Sequence, residues 1–403
     1  MKKLIAIFTL LGFVMLCTLP SVAALAASNI NAYDEDTVNH FIQTTSLDKL
    51  QSRSALLVDL KTDTVLFSKK ANERQSIASL TKIMTMLLIM EAIDSKKISL
   101  ADKVTASEQA YYTEGSQVWL DVGEVFTVRE LMEALAVHSA NDAGVALAEY
   151  VAGSENAFVQ AMNDKAKAMG LKNTQFMDCS GLIDMNQGHF STANDLAKMS
   201  KELLLKHPKI LEFTKIVHKD FRPGPKVVYL DNTNKLLTHY TGTIGLKTGF
   251  TTLAGYNLIA VAERDGRRVL SIIMGADSSN RRYAESIKLL DDGFVNYQYV
   301  TKGKSRAVAA TVDIKDGAEL QIKGVFLKDA TLCVRKKAKV TGEFVPAAEI
   351  KAPIKAGQSI GKMTYKIGTK ILKSFDVVAE KDMAEANIFL KIWRWIIGLF
   401  GLK

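Results

Sequence analysis

Thiol and imidazole chemistry are nearly missing from this chain, which has three cysteines and six histidines among 403 residues. Cys17 lies in an N-terminal apolar run. That leaves Cys179 and Cys333, which fall in what read as different domains, so neither a disulfide framework nor a thiolate metal site can be assembled. The histidines, at 40, 138, 189, 207, 218 and 239, show no HExxH or comparable ligand spacing, which argues against a metal hydrolase. No GxSxG elbow, phosphate-cradling glycine loop, internal repeat or low-complexity tract appears. No cofactor or metal is expected.

What is present begins with an export signature. The chain opens MKK, runs apolar from Leu4 to Leu19 and then offers Ala24-Leu25-Ala26, the small-x-small pattern of a signal-peptidase site. Residues 1–26 are expected to be a signal peptide; the competing reading is a retained membrane anchor, for which the run is short. The formal net charge is +9. Residues 301–383 carry 17 Lys/Arg against 9 Asp/Glu, so nearly all the excess sits there. In an exported protein that balance points to anionic lipid or wall polymer, or to a merely soluble basic surface, and no nucleic-acid partner is expected.

Residues 27–300 read as an α+β catalytic domain. SALLVDL and VLFSKK flank Lys61 to Thr64 as a hairpin. Helical patterns follow in VRELMEALAVHSANDAGVALAEYVAG and ENAFVQAMNDKAKAMG. YNLIAVAER and RRVLSIIMGA, joined by Asp265-Gly266, predict a two-residue type I′ turn. Strands, then helices, then strands imply an antiparallel sheet packed by a helical cluster. Residues 301–383 show short alternating runs such as KMTYKI and SFDVV, and predict a small all-β sandwich.

The tail, residues 384–403, ends in IFLKIWRWIIGLFGLK. Asn387, Lys391, Arg394, Gly398 and Gly401 recur at spacings of 4, 3, 4 and 3, lining one helical face, while Phe389, Trp393, Trp395 and Phe400 crowd the rest. That pattern predicts an amphipathic helix in a membrane interface, too short and charged to span a bilayer comfortably; the alternative is a helix packed on its own protein.

The chemistry lies in RQSIASLTKIMTMLLIM, residues 74–90. Ser79 and Lys82, at i and i+3, share one helix face of an otherwise apolar core segment. Serine is a weak nucleophile without a base, and lysine can serve if burial lowers its pKa. At the helix N-terminus the dipole also favours developing negative charge. Two further segments raise the specificity: Ser139-Ala140-Asn141 at a break between helical patterns, and Lys247-Thr248-Gly249 on a strand. An SxxK, an SAN in the place of SDN, and a KTG, in that order, are the set of penicillin-interacting serine enzymes.

On these motifs, with AGYNLIAVA, RRYAES and LLDDGF, the β segment and the terminal helix, the chain resembles the low-molecular-mass penicillin-binding proteins that act as serine-type D-alanyl-D-alanine carboxypeptidases. The resemblance implies that Ser79 attacks the carbonyl between two D-alanines while Lys82 takes its proton. Ser139 relays that proton to the leaving D-alanine, and Asn141 holds the peptide. Lys247 and Thr248 bind the terminal carboxylate and help orient Ser139, and Gly249 leaves room for substrate along the strand. The amides of Ser79 and Phe250 form the oxyanion hole. Arg282 assists at the carboxylate, although adjacent Arg281 could exchange roles with it and either could brace the sheet. The family often has histidine after KTG; here Phe250 stands there. Cys179 and Ser180 precede Gly181-Leu182 in a site-bordering loop, where a small buried cysteine is expected rather than a reactive thiol.

The implied partners are peptidoglycan pentapeptide stems, β-lactam inhibitors and the outer face of the cytoplasmic membrane. Class A β-lactamases share the motifs but add a loop ExxLN, which is missing between Asn141 and Lys247. A D,D-endopeptidase would need the same residues. A biosynthetic transpeptidase would need a membrane span and partner domains. A wall-binding scaffold is disfavoured by the intact Ser79, Lys82, Ser139 and Lys247.

Overall fold

The structure, a computed structural model, describes residues 30–222, 224 and 226–399; the expected signal peptide, Phe400 and Gly401 lie outside them. The chain groups into two compact units. The first comprises Lys70–Ala260, Ile272–Ile287 and the described residues up to Ala55, and the second Leu56–Lys69, Val261–Ser271 and residues from Lys288 onward. This grouping follows packing rather than chain order.

Both predicted hairpins are present. Ser54–Asp59 neighbours Thr64–Lys69, and Gly255–Arg264 neighbours Arg267–Ala276. Asp265 and Gly266 have φ of +50° and +71°, as a type I′ turn demands. The five-stranded sheet runs in the order Thr64–Lys69, Ser54–Asp59, Arg267–Ala276, Gly255–Arg264, Thr243–Thr251. The KTG strand is therefore an edge strand.

In the first unit the apolar run after Lys82 forms the helix Lys82–Asp94. Ile83, Met84, Met86, Leu87, Ile89 and Met90 are all buried, each contributing about 2 kcal/mol. A helix apolar on every face belongs in a core. The long helical pattern that follows divides in three. Val128–Glu133 opens with a capping box between Thr127 and Glu130. Ala134–His138 is π-helical, and Asn141–Ala152 resumes the α-helix until Gly153 ends it at φ +85°. Ser154 and Thr192 cap the helices Glu155–Ala168 and Ala193–Lys206.

In the second unit, Val308–Asp313, Gln321–Phe326, Lys370–Ala379, Ser359–Ile367 and Thr341–Pro346 form, in that order, an antiparallel five-stranded sheet. Tyr297–Thr301 pairs with Thr331–Arg335 as a separate ribbon, so strand structure begins four residues before the expected start at 301. Ile322, Ile360 and Val377 centre one apolar cluster and Phe326, Leu332 and Phe375 another.

The tail forms the helix Ile388–Leu399, with the Asn387 side chain accepting from Leu390 N–H. Lys391 pairs with Glu385, and Arg394 donates to the carbonyls of Gly317 and Ala318. Lys391 and Arg394 of the polar stripe thus meet protein, while Phe389 is 80% and Trp395 67% exposed. Among the described residues no helix is long and apolar enough to cross a membrane.

Candidate active site

Ser79 sits half-buried on the 3₁₀ turn Ala78–Thr81, immediately ahead of the helix Lys82–Asp94. Ala78 holds φ +48°, a left-handed conformation that costs about 1 kcal/mol for a residue with a Cβ. The turn is fixed from outside, because Gly249 of the edge strand lies directly against it. A Cβ added there would stand 3.1 Å from the Ser79 nitrogen and 3.0 Å from the Ile77 oxygen. Gly249 was expected to make room for substrate; the room it makes is for the nucleophile's own turn. The same approach brings Gly249, the residue before Phe250, to the Ser79 amide.

Lys82 is 0% exposed. Its Nζ is 2.9 Å from Ser79 Oγ, 2.5 Å from Asn141 Oδ1 and 2.8 Å from the Ser180 carbonyl oxygen. Burial pulls its pKa down to about 8, against the opposing pull of Asp178, Cys179 and Asp142. A neutral amine has two N–H donors and one lone pair. Two of the three partners, Asn141 Oδ1 and the Ser180 carbonyl, can only accept. The lone pair is then left for the hydroxyl hydrogen of Ser79, which is the arrangement of a general base.

Ser139 ends the π-helical segment at φ +64°. A π-bulge and a strained serine often mark a functional position. Lys247 Nζ donates to Ser139 Oγ at 2.8 Å and to the Thr248 carbonyl at 2.9 Å. Burial, then the charges of Lys82 and Arg282, hold the Lys247 pKa well below its ordinary value. A bound carboxylate would supply the counter-charge this ammonium lacks. Thr248 Oγ1 donates to Thr233 Oγ1 at 2.8 Å rather than to Ser139.

The structure brings Ser79, Lys82, Ser139, Asn141, Lys247, Thr248, Gly249 and Phe250 onto facing elements of the first unit, with two further departures from expectation. The Asn141 amide, expected to hold substrate, is engaged by protein at both ends: Oδ1 accepts from Lys82 and Nδ2 donates to the Glu114 carbonyl at 2.6 Å. Arg282 is fully buried and donates to the Ile30 and Asn257 carbonyls, Asn31 Oδ1 and Ser279 Oγ. It acts on the site through charge and not through an exposed guanidinium. Arg281 pairs with Asp277 and lies over the Phe41 ring. Phe250 packs on Tyr256, 4.4 Å between centroids, and Tyr256 lies under Arg282.

Several contributors carry no motif. Asp178 accepts from the amides of Ser180, Gly181 and Ile183, shaping the loop whose Ser180 carbonyl meets Lys82. Gly181, at φ +87°, passes so close to the nucleophile's turn that a Cβ would sit 2.0 Å from the Ala78 oxygen. His189 accepts from Met177 N–H through Nδ1, which leaves its Nε2–H for Thr81 Oγ1, 2.8 Å away. Cys179 is buried, its thiol pKa raised well above the ordinary value by burial and by Glu155, so it is inert as expected.

A buried lysine serving a serine across three residues, with a second hydroxyl and lysine opposite on a sheet edge, defines a serine acyl-transfer hydrolase of the penicillin-binding class. Residues 41–278 match the D-alanyl-D-alanine carboxypeptidase family and residues 286–385 match the penicillin-binding protein 5 C-terminal domain. The chain belongs to the D-alanyl-D-alanine carboxypeptidase family, as a low-molecular-mass penicillin-binding protein with serine D,D-carboxypeptidase activity. It is 40% identical over 347 residues to D-alanyl-D-alanine carboxypeptidase DacF of Bacillus subtilis, covering 85% of this chain and 88% of that one. With DacC of Escherichia coli it shares 32% over 368 residues, covering 89% and 90%. Among solved structures, penicillin binding protein 5 from Haemophilus influenzae superposes at a TM-score of 0.76 and 30% identity, covering 83% of this chain and 98% of that one. Penicillin-binding protein D2 from Listeria monocytogenes, solved in an ampicillin-bound form, gives 0.55 and 33%, covering 61% and 98%.

Proposed function

We propose that this carboxypeptidase trims peptidoglycan stem pentapeptides through an acyl-enzyme on Ser79. The observation that carries the reading is the set of three hydrogen-bond contacts at Lys82 Nζ, which leaves the lone pair of the neutral amine for Ser79 Oγ. Ser79 Oγ attacks the carbonyl carbon of the penultimate D-alanine and its proton passes to Lys82. The amides of Ser79 and Phe250 receive the oxyanion, each such donor being worth about 3 kcal/mol. Lys247 holds the terminal carboxylate, whose negative charge favours the ammonium form that burial disfavours. Its hydrogen bond fixes Ser139 Oγ as acceptor, so the Ser139 hydroxyl hydrogen can be handed to the departing amine and replaced from Lys82. The C–N bond breaks, D-alanine leaves, and water returned through Lys82 hydrolyses the ester.

A β-lactam entering by the same path would acylate Ser79, but its cleaved ring nitrogen stays tethered and blocks the returning water. Ligand-bound forms of the Listeria relative support this reading. The same residues could cut D,D-cross-links, and product analysis separates the two activities.

Residues 1–26 are proposed as an export signal, residues 27–300 as the catalytic domain, and the β region from residue 301 to 383 as a spacer between catalysis and anchor. The helix Ile388–Leu399 is proposed to lie in the outer face of the cytoplasmic membrane. Its Lys391 and Arg394 are engaged by protein, while Phe389, Trp393 and Trp395 are exposed.

Intact-mass spectrometry after incubation with a penicillin, beside Ser79→Ala, tests the acyl-enzyme; release of D-alanine from diacetyl-Lys-D-Ala-D-Ala tests the peptidase. A persistent adduct on the wild type alone, with D-alanine released, is expected. Rapid penicillin turnover, or an adduct with no D-alanine released, would overturn the reading.

A further inference from the structure

We propose that the segment Tyr111–Asp121 forms a subsite for the sugar of a glycan-linked stem, with Trp119 as its stacking platform. This rests on the peptidoglycan reading above.

Within this segment Val118 and Leu120 are buried, yet Trp119 between them is 61% exposed and holds φ +54°. A left-handed tryptophan is strained, and an exposed indole forfeits the burial its neighbours gain. The backbone that presents it is clamped. The Asp142 carboxylate accepts from the amides of Val118 at 3.0 Å and Leu120 at 3.2 Å. The Ser116 carbonyl accepts from Asn141 N–H at 2.6 Å, and the Trp119 carbonyl from Arg222 at 2.9 Å. The exposure of Trp119 is therefore a fixed feature of the surface and not a loose loop.

Beside it lies an open cavity of about 670 Å³, lined by Tyr111, Tyr112, Gln117, Trp119 and the acidic Glu114 and Asp121. Tyr112 is 74% exposed and meets Tyr111 edge to face at 5.0 Å. Aromatic faces rimmed by amide and carboxylate acceptors suit a pyranose, which offers C–H bonds on its faces and hydroxyl and N-acetyl donors on its edge. Among the described residues that line the cavity none is cationic, and the nearby Lys226 is already paired with Asp121 at 2.6 Å, so the carboxylates of the stem itself are poor occupants.

The position also fits. Gly115, at one end of the cavity, lies so near the active site that a Cβ there would stand 2.6 Å from Asn141 Nδ2. The sugar of a stem is joined four residues before the scissile bond, a reach of about 13 Å of extended chain. A substrate lying on the edge strand would thus carry its sugar out of the catalytic cleft on the Asn141 side.

The test compares D-alanine release by the full-length protein from a disaccharide-linked pentapeptide and from the same pentapeptide without sugar. The expected wild-type preference for the sugar-linked substrate is about fivefold to tenfold in kcat/KM. Trp119→Ala is expected to abolish that preference while leaving the sugar-free rate within about twofold, with Trp119→Phe keeping part of it. Penicillin acylation and thermal unfolding of each variant check the fold. Equal loss on both substrates would make Trp119 a structural residue of the loop and overturn the proposal, as would a preference that survives Trp119→Ala. Absence of D-alanine release from any substrate by the wild type would overturn the peptidase reading instead, and the subsite with it.

Discussion

The active site and the C-terminal helix break the rule of burial in opposite directions. In the first, two lysines are withdrawn from water, Lys82 completely and Lys247 nearly so; in the second, Phe389, Trp393 and Trp395 are left in it. At Lys82 much of the cost of burial is met inside the protein, whereas Lys247 lacks a counter-charge until a carboxylate binds. Ser79 Oγ, Asn141 Oδ1 and the Ser180 carbonyl meet the Lys82 Nζ, and what solvation is still missing lowers its pKa into a useful range. At the tail, by contrast, nothing in the described chain covers the aromatic face, so that cost is left for something outside the chain. A buried amine with acceptors in place points to chemistry, whereas the exposed apolar face on a capped helix is what the proposed membrane contact rests on.

The largest effect is expected from Lys82→Ala. Removing the base should lower kcat/KM for D-alanine release by about 1,000-fold and suppress the penicillin adduct, read by steady-state assay and intact mass. In the wild type the neutral amine is the active form. Its pKa near 8 then makes kcat/KM climb about tenfold per pH unit below that value and level off above it. A flat profile from pH 6 to 9 would show that Lys82 is not the base.

Gly181→Ala attacks the same site through packing. The new Cβ would meet the Ala78 oxygen at 2.0 Å in a φ +87° conformation, so the loop or the nucleophile's turn must move. A destabilisation of about 3 kcal/mol is expected, with acylation slowed further, measured by thermal unfolding and penicillin-labelling rate. An unchanged labelling rate would separate the loop from the nucleophile.

Deleting residues 387–403 addresses the C-terminal helix. Partitioning onto vesicles containing anionic lipid should fall by at least about tenfold, while hydrolysis of a soluble diacetyl-Lys-D-Ala-D-Ala peptide stays within about twofold. Undiminished vesicle binding would transfer adhesion to the basic residues of 301–383.

How far the sequence alone reached can be judged residue by residue. Ser79, Lys82, Ser139 and Lys247 were legible because helix spacing and motif order survive folding, and the Asp265-Gly266 turn because its chemistry is local. The Ser180 carbonyl was not legible, since any residue offers one. Gly249 and Gly181 were visible as glycines, but the backbones they admit lie far away in sequence. Asn141 and Arg282 were placed by their motifs. Their partners, the Glu114 carbonyl and the N-terminal Ile30 and Asn31, depend on tertiary approaches that no spacing encodes.

His189 gives the smallest and most discriminating effect. It is buried between Met177 N–H and Thr81 Oγ1, and Thr81 in turn donates to the Ala78 carbonyl. It therefore joins the Lys82-facing loop to the Ser79 turn. Burial lowers its pKa, against the pull of Asp178 and Asp184, so the folded chain keeps it neutral where the unfolded chain, with an ordinary value near 6.5, takes up a proton. The unfolded state then binds more protons below about pH 6.5, and the His189 contribution to stability, complete above that pH, declines as pH falls. His189→Gln should lose about 1 kcal/mol at pH 7.5 through its broken bonds and flatten the decline below pH 6.5, both read from unfolding midpoints. If the variant keeps the wild-type slope on the acid side, some other group carries the titration, and His189 is only packing between the loop and the turn.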